Sequence, residues 1–350
     1  MAKYVIGDIH GCGEEFARLL DELAFNPSKD ELYLAGDLIG RGTSPQLVFD
    51  LAIKHQAQAV LGNYDLHFLA CLHGARQAIP SDNFEQILNL DAKKRNYYGS
   101  WLQEQGFVRE EDGFYLVHAS LDPSWSAEQI TTYGKELSTY FASWQTSDFM
   151  HFFSNKRFID GLKEFDYTQE SSLRHLYECL FIFTVCRYRK LTTVDESSIL
   201  FPQSLTALSQ EVGLENLNNY PWSVLVKDFQ RSFFDIDVGM KGEPICMPEQ
   251  RLYPWFEFAR MLDEQTRLNP ELVKDNPNLQ YQGFTKPVYF GHWSRLNGHE
   301  LVPGIICTDT SCVYGDRLTA YQLSESAVNM QDLATLKQLA QPVATVYKDK

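Results

Sequence analysis

The first part of the chain alternates between short apolar runs and longer segments whose apolar residues are spaced three and four apart. The run at residues 4–6 is typical of a buried strand. Phe16, Leu19, Leu20 and Leu23 then fall on one face of a helix. A strand followed by an amphipathic helix is the first half of a βαβ unit.

The same alternation repeats twice. Residues around Leu34 predict a second strand, and a helix is predicted from Pro45 because proline suits the first helical turn. Residues 57–61 predict a third strand, followed by a helix over residues 66–72 with Asp65 as its N-terminal cap. Strand-helix units in series predict an α/β sheet, whose ligands bind beyond the carboxyl ends of the strands.

Past residue 72 the periodic signal is weaker. Residues 114–117 predict the strand that leads to His118. The other elements predicted from apolar spacing are helices over residues 96–105, 127–140, 172–189 and 330–339 and strands over residues 287–290, 304–308 and 318–323.

This pattern divides the chain into three parts. Residues 1–125 are predicted to form the N-terminal half of the core, and residues 281–350 its C-terminal half and a tail. Residues 126–280 carry helical spacing and many aromatic side chains, so they are predicted to form a helical cap inserted between the halves. Within the cap, residues 191–243 show no clear period, and no role is assigned to them.

Polar residues stand at the carboxyl ends of the predicted strands. The six that share this position and carry metal-binding groups are Asp8, His10, Asp37, Asn63, His118 and His292. Carboxylate and imidazole groups suit manganese, iron or zinc. A lone histidine is more often structural, but five polar blocks in order at strand ends predict one shared site. That site is predicted to hold two ions about 3.5 to 4 Å apart, which clamp both oxygens of an in-line phosphoryl displacement.

The net charge of the chain restricts the kinds of ligand that it is expected to bind. The chain has 350 residues and a formal net charge of −15, which argues against a broad basic surface for nucleic acid. A phosphate substrate must therefore be attracted locally, by metals or by a few arginines. Arg41, in the glycine-rich block after Asp37, is the predicted phosphate clamp because a guanidinium fork binds phosphoryl oxygens bidentately.

The cysteines and the N-terminus predict a cytoplasmic protein. Seven cysteines are scattered without a CxxC pair, which is typical of buried thiols in a reducing compartment. Motif residues begin at Gly7, so no signal peptide is expected ahead of them. The longest apolar-rich run, residues 176–186, is too short for a bilayer, and no membrane partner is expected. The oligomeric state is left open.

The ordered blocks resemble the calcineurin-like metallophosphoesterases of the phosphoprotein phosphatase branch, and among these the bacterial symmetrical diadenosine tetraphosphatases. The segments that carry the likeness are residues 4–72, 187–189, 253–256, 290–293 and 309–312. The resemblance implies an α/β fold in which two mixed β-sheets form a sandwich flanked by helices, with the helical cap inserted.

The resemblance also implies roles for the polar residues. The implied ligands are Asp8 and His10 for the first metal, Asp37 for both, and Asn63, His118 and His292 for the second. The implied cofactor is two divalent ions, with manganese preferred and iron, cobalt or zinc as alternatives. Arg187 and Arg189 lie in a segment that leads into the family's site, so one of them is a candidate second clamp on the substrate. The alternative is an ordinary arginine at the end of an apolar helix.

Two positions depart from the protein phosphatases that the chain resembles. Those enzymes have an aspartate before the arginine of the second block, and it orients a histidine that acts as general acid. Here the two positions are Gly40 and Tyr64. The tetraphosphatases also lack the aspartate but keep the histidine, so Tyr64 departs from both groups.

Tyr64 changes the expected chemistry of the site. A phenol has a pKa near 10, so Tyr64 is predicted to donate a hydrogen bond to the leaving oxygen but to transfer its proton less readily than an imidazolium. A serine alkoxide needs that proton, whereas a nucleoside diphosphate leaves as a stabilised anion. The tyrosine therefore favours cleavage of a phosphoanhydride over cleavage of a phosphoester.

Three functions stay open from the sequence. The first is hydrolysis of a dinucleoside polyphosphate, in which a metal-bound hydroxide attacks diadenosine tetraphosphate and two ADP form. The second is a weakly active or inactive descendant that binds metals and nucleotides as a sensor. The third is a phosphatase of phosphoproteins or small phosphomonoesters, which Gly40 and Tyr64 disfavour. Trp255, Trp293 and Tyr314 are candidates either for stacking on a base or for the core.

Overall fold

The computed structural model describes residues 1–154, 171–190, 252–257, 259–260 and 284–348. The segment predicted to have no clear period, residues 191–243, lies outside them, and so does most of the predicted cap beyond residue 190.

The first of two five-stranded sheets contains the predicted βαβ units. Its strands are β1 (Lys3–Ile6), β2 (Glu31–Leu34), β3 (Gln58–Ala59), β11 (Arg317–Gln322) and β12 (Pro342–Tyr347). They lie in the order β12-β11-β1-β2-β3. β1, β2 and β3 run parallel, whereas β11 is antiparallel to both of its neighbours. The carboxyl ends of the three parallel strands therefore meet at one edge.

The second sheet is built in the same way from later residues. Its strands are β4 (Val108–Glu111), β5 (Phe114–Val117), β8 (Val288–Phe290), β9 (Glu300–Val302) and β10 (Ile305–Cys307). They lie in the order β4-β5-β8-β10-β9, with β5, β8 and β10 parallel and the two outer strands antiparallel. A separate antiparallel pair joins β6 (Tyr188–Lys190) to β7 (Leu252–Pro254).

The two sheets pack face to face through apolar side chains. Val5 and Tyr33 of the first sheet share one buried cluster with Leu116, Tyr289 and Ile306 of the second. Burial of apolar side chains in such a layer stabilises the fold by about 25 cal/mol for each Å² of apolar surface removed from water. The structure therefore confirms the predicted α/β sandwich of two mixed sheets.

Helices cover the outer faces of the sandwich. Those within the described residues are α1 (Gly13–Glu22), α2 (Pro45–Lys54), α3 (Asn63–Leu72), α4 (Glu85–Leu88), α5 (Ala92–Gln103), α6 (Ala127–Ala142), α7 (Thr146–Ser154), α8 (Ser171–Thr184) and α9 (Leu333–Leu339). α1 buries Phe16, Leu19 and Leu20, the apolar face predicted from its spacing. In the part of the chain that the structure describes, no helix has the length and apolar character needed to cross a membrane.

Some predicted boundaries are wrong. The helix predicted to run to residue 189 ends at Thr184. Arg187 immediately precedes β6, and Arg189 lies within that strand. α3 begins at Asn63, so Asp65 is its third residue rather than its cap; its carboxylate accepts from the backbone N of Gly62 at 2.9 Å. Five strands, β4, β6, β7, β9 and β12, were not predicted from the pattern.

Candidate metal centre

Loops from both sheets converge beyond the carboxyl ends of the parallel strands. Asp8 and His10 follow β1, and Asp37 follows β2. His118 directly follows β5, and His292 lies two residues after β8. His10, Asp37 and His292 have φ values of 48°, 48° and 66°, which non-glycine residues seldom adopt. Backbone strain of this kind persists where surrounding structure enforces it, and it clusters at functional sites.

The first cluster consists of Asp8, His10 and Asp37, all buried. His10 Nε2 lies 3.8 Å from Asp8 Oδ2 and 3.4 Å from Asp37 Oδ2. The backbone N of His292 donates to Asp8 Oδ1 at 3.0 Å, which holds that carboxylate toward the other loops. No side chain fits at Gly291, because a Cβ there would overlap the same Asp8 oxygen.

The second cluster shares Asp37 with the first and adds His118 and His292. His118 Nε2 lies 3.5 Å from Asp37 Oδ1 and 3.2 Å from Asn63 Oδ1. The same Asp37 oxygen accepts from the backbone N of Tyr64 at 2.7 Å. All six predicted ligands are therefore brought to two adjoining clusters joined by one carboxylate.

The hydrogen bonds of the histidines fix which ring nitrogen faces the clusters. His118 Nδ1 donates to the carbonyl O of Ala35 at 2.8 Å, and His292 Nε2 donates to the carbonyl O of Val185 at 2.9 Å. Burial lowers the pKa of His10 and His118 to about 3 and that of His292 well below its usual range, so the three rings are neutral. The other nitrogen of each bonded ring therefore carries a lone pair, as a metal ligand must.

This donor set fits a pair of cations. With its proton on Nδ1, His118 presents a lone pair at Nε2 to the oxygens of Asn63 and Asp37 at 3.2 and 3.5 Å. Lone pairs that face one another at these distances repel unless a cation lies among them. The mixture of imidazole, carboxylate and amide donors suits a first-row divalent ion.

A third carboxylate, Asp309, lies beside the clusters and was not predicted as a site residue. Burial raises the pKa of Asp309 to about 7 and that of Asp37 to about 7. Burial and then the charge of Asp309 raise the pKa of Asp8 well above its usual range. The sequence feature that could have identified Asp309 is its position just after β10, a parallel strand of the second sheet.

Arg41 stands at the edge of the clusters between two tyrosine rings. Its guanidinium carbon lies 4.8 Å from the ring centroid of Tyr64 and 5.5 Å from that of Tyr314. Its backbone is held as well, because its N donates to Asp82 O at 2.8 Å and its O accepts from Asn83 Nδ2 at 2.6 Å. The side chain predicted to clamp phosphate is thus fixed before any ligand arrives.

Tyr64 contacts both the first cluster and Arg41. Its ring meets the ring of His10 edge to face, with centroids 4.9 Å apart. Burial raises the pKa of Tyr64 to about 12, so its hydroxyl keeps the proton at neutral pH. A Cβ added at Gly40 would lie 2.5 Å from Tyr64 Cδ1. The Tyr64 ring therefore fills the space that a side chain at position 40 would need.

The two other predicted arginines differ in what they contact. Arg187 Nη2 donates to the carbonyl O of His292 at 2.6 Å. Burial lowers the pKa of Arg187, and the charges of Asp309 and Asp8 oppose that shift. Arg189 lies on β6 opposite Tyr253, and its side chain is outside the described part of the chain.

The aromatic residues considered for base stacking separate by burial. Trp255 is 0% exposed and Trp293 is 2% exposed, so both belong to the core. Tyr314 is 52% exposed and lies over Arg41. Of the three, Tyr314 alone presents a ring to solvent beside the clusters.

Comparison with known proteins assigns the fold to a family. Residues 1–173 match the model of the family described as Calcineurin-like phosphoesterase. The chain carries a calcineurin-like metallophosphoesterase domain. Metallophosphoesterases are hydrolases that use a dinuclear divalent metal centre, for which this domain has the donor clusters described above.

Curated relatives align with this chain over nearly its whole length. A protein of Actinobacillus pleuropneumoniae serotype 5b, named symmetrical bis(5'-nucleosyl)-tetraphosphatase, is 27% identical over 339 residues, or 95% of this chain and 99% of the relative. A protein of Shewanella frigidimarina with the same name is 28% identical over 346 residues, or 95% and 98%. A solved structure provisionally described as a diadenosine tetraphosphatase covers 100% of this chain and 94% of its own, with 15% identity and a TM-score of 0.49.

Proposed function

We propose that this metallophosphoesterase hydrolyses a phosphoanhydride of a dinucleoside polyphosphate, with diadenosine tetraphosphate and water giving two ADP. The observation that carries the proposal is the pair of donor clusters joined by Asp37. The names of the relatives that align over 95% of the chain support the choice of substrate. Manganese as the metal and the cytoplasm as the location remain predictions from the sequence.

The proposed ligands divide between the two ions as the clusters do. Asp8 and His10 would hold one ion, His118 and His292 would hold the other with Asn63, and Asp37 would serve both. When bound, two divalent ions supply Lewis acidity and offset the charge on the reacting phosphoryl group. The hydrogen bonds from His118 and His292 to backbone carbonyls keep their imidazoles oriented toward the ions.

Arg41 is proposed to bind the phosphoryl oxygens. The rings of Tyr64 and Tyr314 hold its guanidinium in place at 4.8 and 5.5 Å, so little side-chain entropy is lost on binding. Arg187, whose charge lies near Asp8 and Asp309, is proposed to orient the His292 loop, with any second contact to substrate left to Arg189.

Tyr64 is proposed to donate a hydrogen bond to the leaving oxygen. Its pKa of about 12 means that proton transfer is a weaker contribution than it is from an imidazolium. ADP is a stabilised leaving group that does not require protonation, and this matches an anhydride substrate. The tyrosine is thus compatible with anhydride cleavage and unfavourable for alkyl esters.

The proposal is tested by incubating purified protein with Mn²⁺ and diadenosine tetraphosphate and separating the products by chromatography. ADP as the sole product is expected. AMP and ATP together would mean asymmetric cleavage and would overturn the proposal. Faster turnover of phosphoserine peptides or phosphomonoesters than of the anhydride would favour the phosphatase function instead.

A second candidate, a weakly active module that binds metal and nucleotide, is favoured by Tyr64 in the place of an acid. It predicts bound metal and measurable nucleotide affinity without turnover. Calorimetry with diadenosine tetraphosphate on the Mn²⁺-loaded protein, run beside the product assay, separates the two candidates.

A further inference from the structure

Two cysteines from opposite ends of the chain meet beside the donor clusters. The Sγ atoms of Cys12 and Cys312 and a carboxylate oxygen of Glu15 all lie within 4.8 Å of one another. Cys12 is 3% exposed and Cys312 is 1% exposed. Although 300 positions separate them in sequence, neither sulfur is engaged in a disulfide.

A lysine lies over the first of these sulfurs. Lys348 Nζ donates to Cys12 Sγ at 3.4 Å. The backbone N of Lys348 donates to Asp316 O at 2.8 Å, which anchors this lysine to the turn after Cys312. Cys12 is also the residue that immediately precedes α1. Lys348 therefore joins the segment after β12 to the loop of Cys12 and to the turn after Cys312.

We propose that Cys12 and Cys312 are a reversible modification site, a thiol pair that peroxide converts to a disulfide. The sulfurs are close enough that side-chain rotation and a small loop movement bring them together. Binding of a metal ion by Cys12, Glu15 and Cys312 is disfavoured because the ammonium of Lys348 already lies 3.4 Å from one of the sulfurs.

The proposed reaction has two balanced steps. The Cys12 thiolate attacks one oxygen of hydrogen peroxide, the O–O bond breaks, and a sulfenic acid and hydroxide form. The Cys312 thiol then attacks the sulfenic sulfur, an S–S bond forms, and the sulfenic oxygen leaves as water with the thiol proton. Peroxide supplies the oxidising equivalent, and a thiol reductant reverses the change.

The disulfide would draw together two loops of the proposed active site. Cys12 lies two residues after His10, and Cys312 lies two residues before Tyr314, the ring that packs on Arg41. A disulfide holds its sulfurs about 2 Å apart, so the loops must shift. Because misplacement of a catalytic group by 1 Å costs up to about 100-fold, oxidation should lower turnover about tenfold or more. This consequence for activity rests on the proposed function, whereas the disulfide itself does not.

The test is disulfide mapping by mass spectrometry of the full chain. Reduced protein is freed of reductant, treated with hydrogen peroxide, alkylated and digested without reduction. A peptide pair linked through Cys12 and Cys312 is expected, and it should disappear after treatment with dithiothreitol. The fraction of linked peptide is followed against the activity of the same samples.

Matched variants make the result specific. Cys12→Ser and Cys312→Ser should each abolish the linked peptide and the loss of activity on oxidation. Cys71→Ser, which removes a more exposed thiol, should retain both. Lys348→Met leaves both thiols in place and should retain the linked peptide.

Other outcomes would overturn the proposal independently of whether the chain is a tetraphosphatase. Oxidation of Cys71 alone, or sulfonic acids at Cys12 without the linked peptide, would show that the pair does not close. Stoichiometric Zn²⁺ that protects Cys12 and Cys312 from alkylation would assign the cluster to a metal instead.

Discussion

At the residue scale, Gly40 and Tyr64 depend on each other. Gly40 has a φ of +104°, and a Cβ there would lie 2.5 Å from Tyr64 Cδ1. The ring of Tyr64 in turn holds Arg41 by a cation–π contact, an interaction of roughly 0.5 to 2 kcal/mol. The absence of a side chain at Gly40 therefore leaves room for the Tyr64 ring, so the two departures noted in the sequence depend on each other.

Replacing Gly40 by alanine tests that arrangement. The added Cβ must displace the Tyr64 ring, and alanine at positive φ adds about 1 kcal/mol of backbone strain. Gly40→Ala should lower both the melting temperature and the turnover of diadenosine tetraphosphate. Gly74→Ala is the matched control, because Gly74 has a φ of +73° but no atom within 4 Å of the added Cβ. Equal losses of activity in the two variants would refute steric dependence on Tyr64.

Tyr64→His tests the dependence on the leaving group. If the tyrosine merely stands in for an acid, histidine should raise kcat/KM for aryl and alkyl phosphates by roughly 10-fold or more and raise it less for the anhydride. Tyr64→Phe keeps the ring beside Arg41 and removes the hydroxyl, so it isolates the hydrogen bond to the leaving oxygen. Equal effects of Tyr64→His on all substrates would contradict this dependence on the leaving group.

Asp309 is the carboxylate whose role only the structure suggests. Its charge lies near those of Asp8 and Asp37, and three buried carboxylates attract cations more strongly than two. Asp309→Asn should weaken Mn²⁺ binding by about 10- to 100-fold, measured by titrating activity and by metal content after dialysis. Asp316→Asn, in the turn that follows the loop of Asp309, should leave metal binding unchanged. No difference between the two variants would count against Asp309.

At the element scale, apolar spacing predicted the parallel strands and missed the edges. β5 is buried and apolar throughout, and β1 and β2 become so toward their carboxyl ends; each was predicted close to its observed bounds. β4 contains Arg109, Glu110 and Glu111, and such half-exposed edge strands lack the apolar run that marks a central strand. The end of α8 at Thr184 was also missed, because the apolar residues that follow it continue the helical spacing.

β12 gives the clearest case of an element whose role depends on tertiary contacts. The sequence predicted only a tail here, yet the strand pairs with β11 from Arg317 to Tyr321 and forms one edge of the first sheet. Tyr347 O accepts from Arg18 Nη2 at 2.9 Å, so the strand is also tied to α1. Arg18 lies 329 positions from Tyr347 in sequence, so apolar spacing could not indicate this contact.

Deletion of residues 342–350 tests the contribution of β12 to stability. The edge of β11 would lose its partner, and net losses of about 1 kcal/mol per hydrogen bond over several bonds should lower the melting temperature by roughly 5 °C. An unpaired edge also promotes association, so light scattering should detect larger species. Deletion of residues 349–350 alone is the control. An unchanged melting temperature in the longer deletion would make β12 dispensable.

At the scale of the whole molecule, the candidate site belongs to neither sheet alone. Loops after β1 and β2 supply Asp8, His10 and Asp37, and the first residue of α3 supplies Asn63. Loops after β5 and β8 supply His118 and His292. The order of the motifs was enough to predict this set. What the sequence did not reveal was their surroundings: the carbonyls that orient the histidines, the third carboxylate, and the rings on either side of Arg41. These depend on how the two sheets and their loops pack together.

Metal binding should therefore stabilise the whole sandwich. Without cations, buried carboxylates and imidazole lone pairs face one another, as the 3.5 Å separation of His118 Nε2 and Asp37 Oδ1 shows. Each ion present at 100 times its dissociation constant adds about 2.7 kcal/mol to the free energy of unfolding. Chelation of both ions should thus lower the melting temperature by roughly 5 to 10 °C.

Differential scanning calorimetry with and without EDTA measures this shift, and Mn²⁺, Zn²⁺ or Co²⁺ added back shows which ion restores it. Asp37→Asn is the sharpest control, because the bridging carboxylate contributes to both clusters. Its melting temperature should respond little to EDTA or to added metal. A natural-sequence protein whose melting temperature ignores both chelator and metal would contradict a dinuclear centre that joins the two sheets.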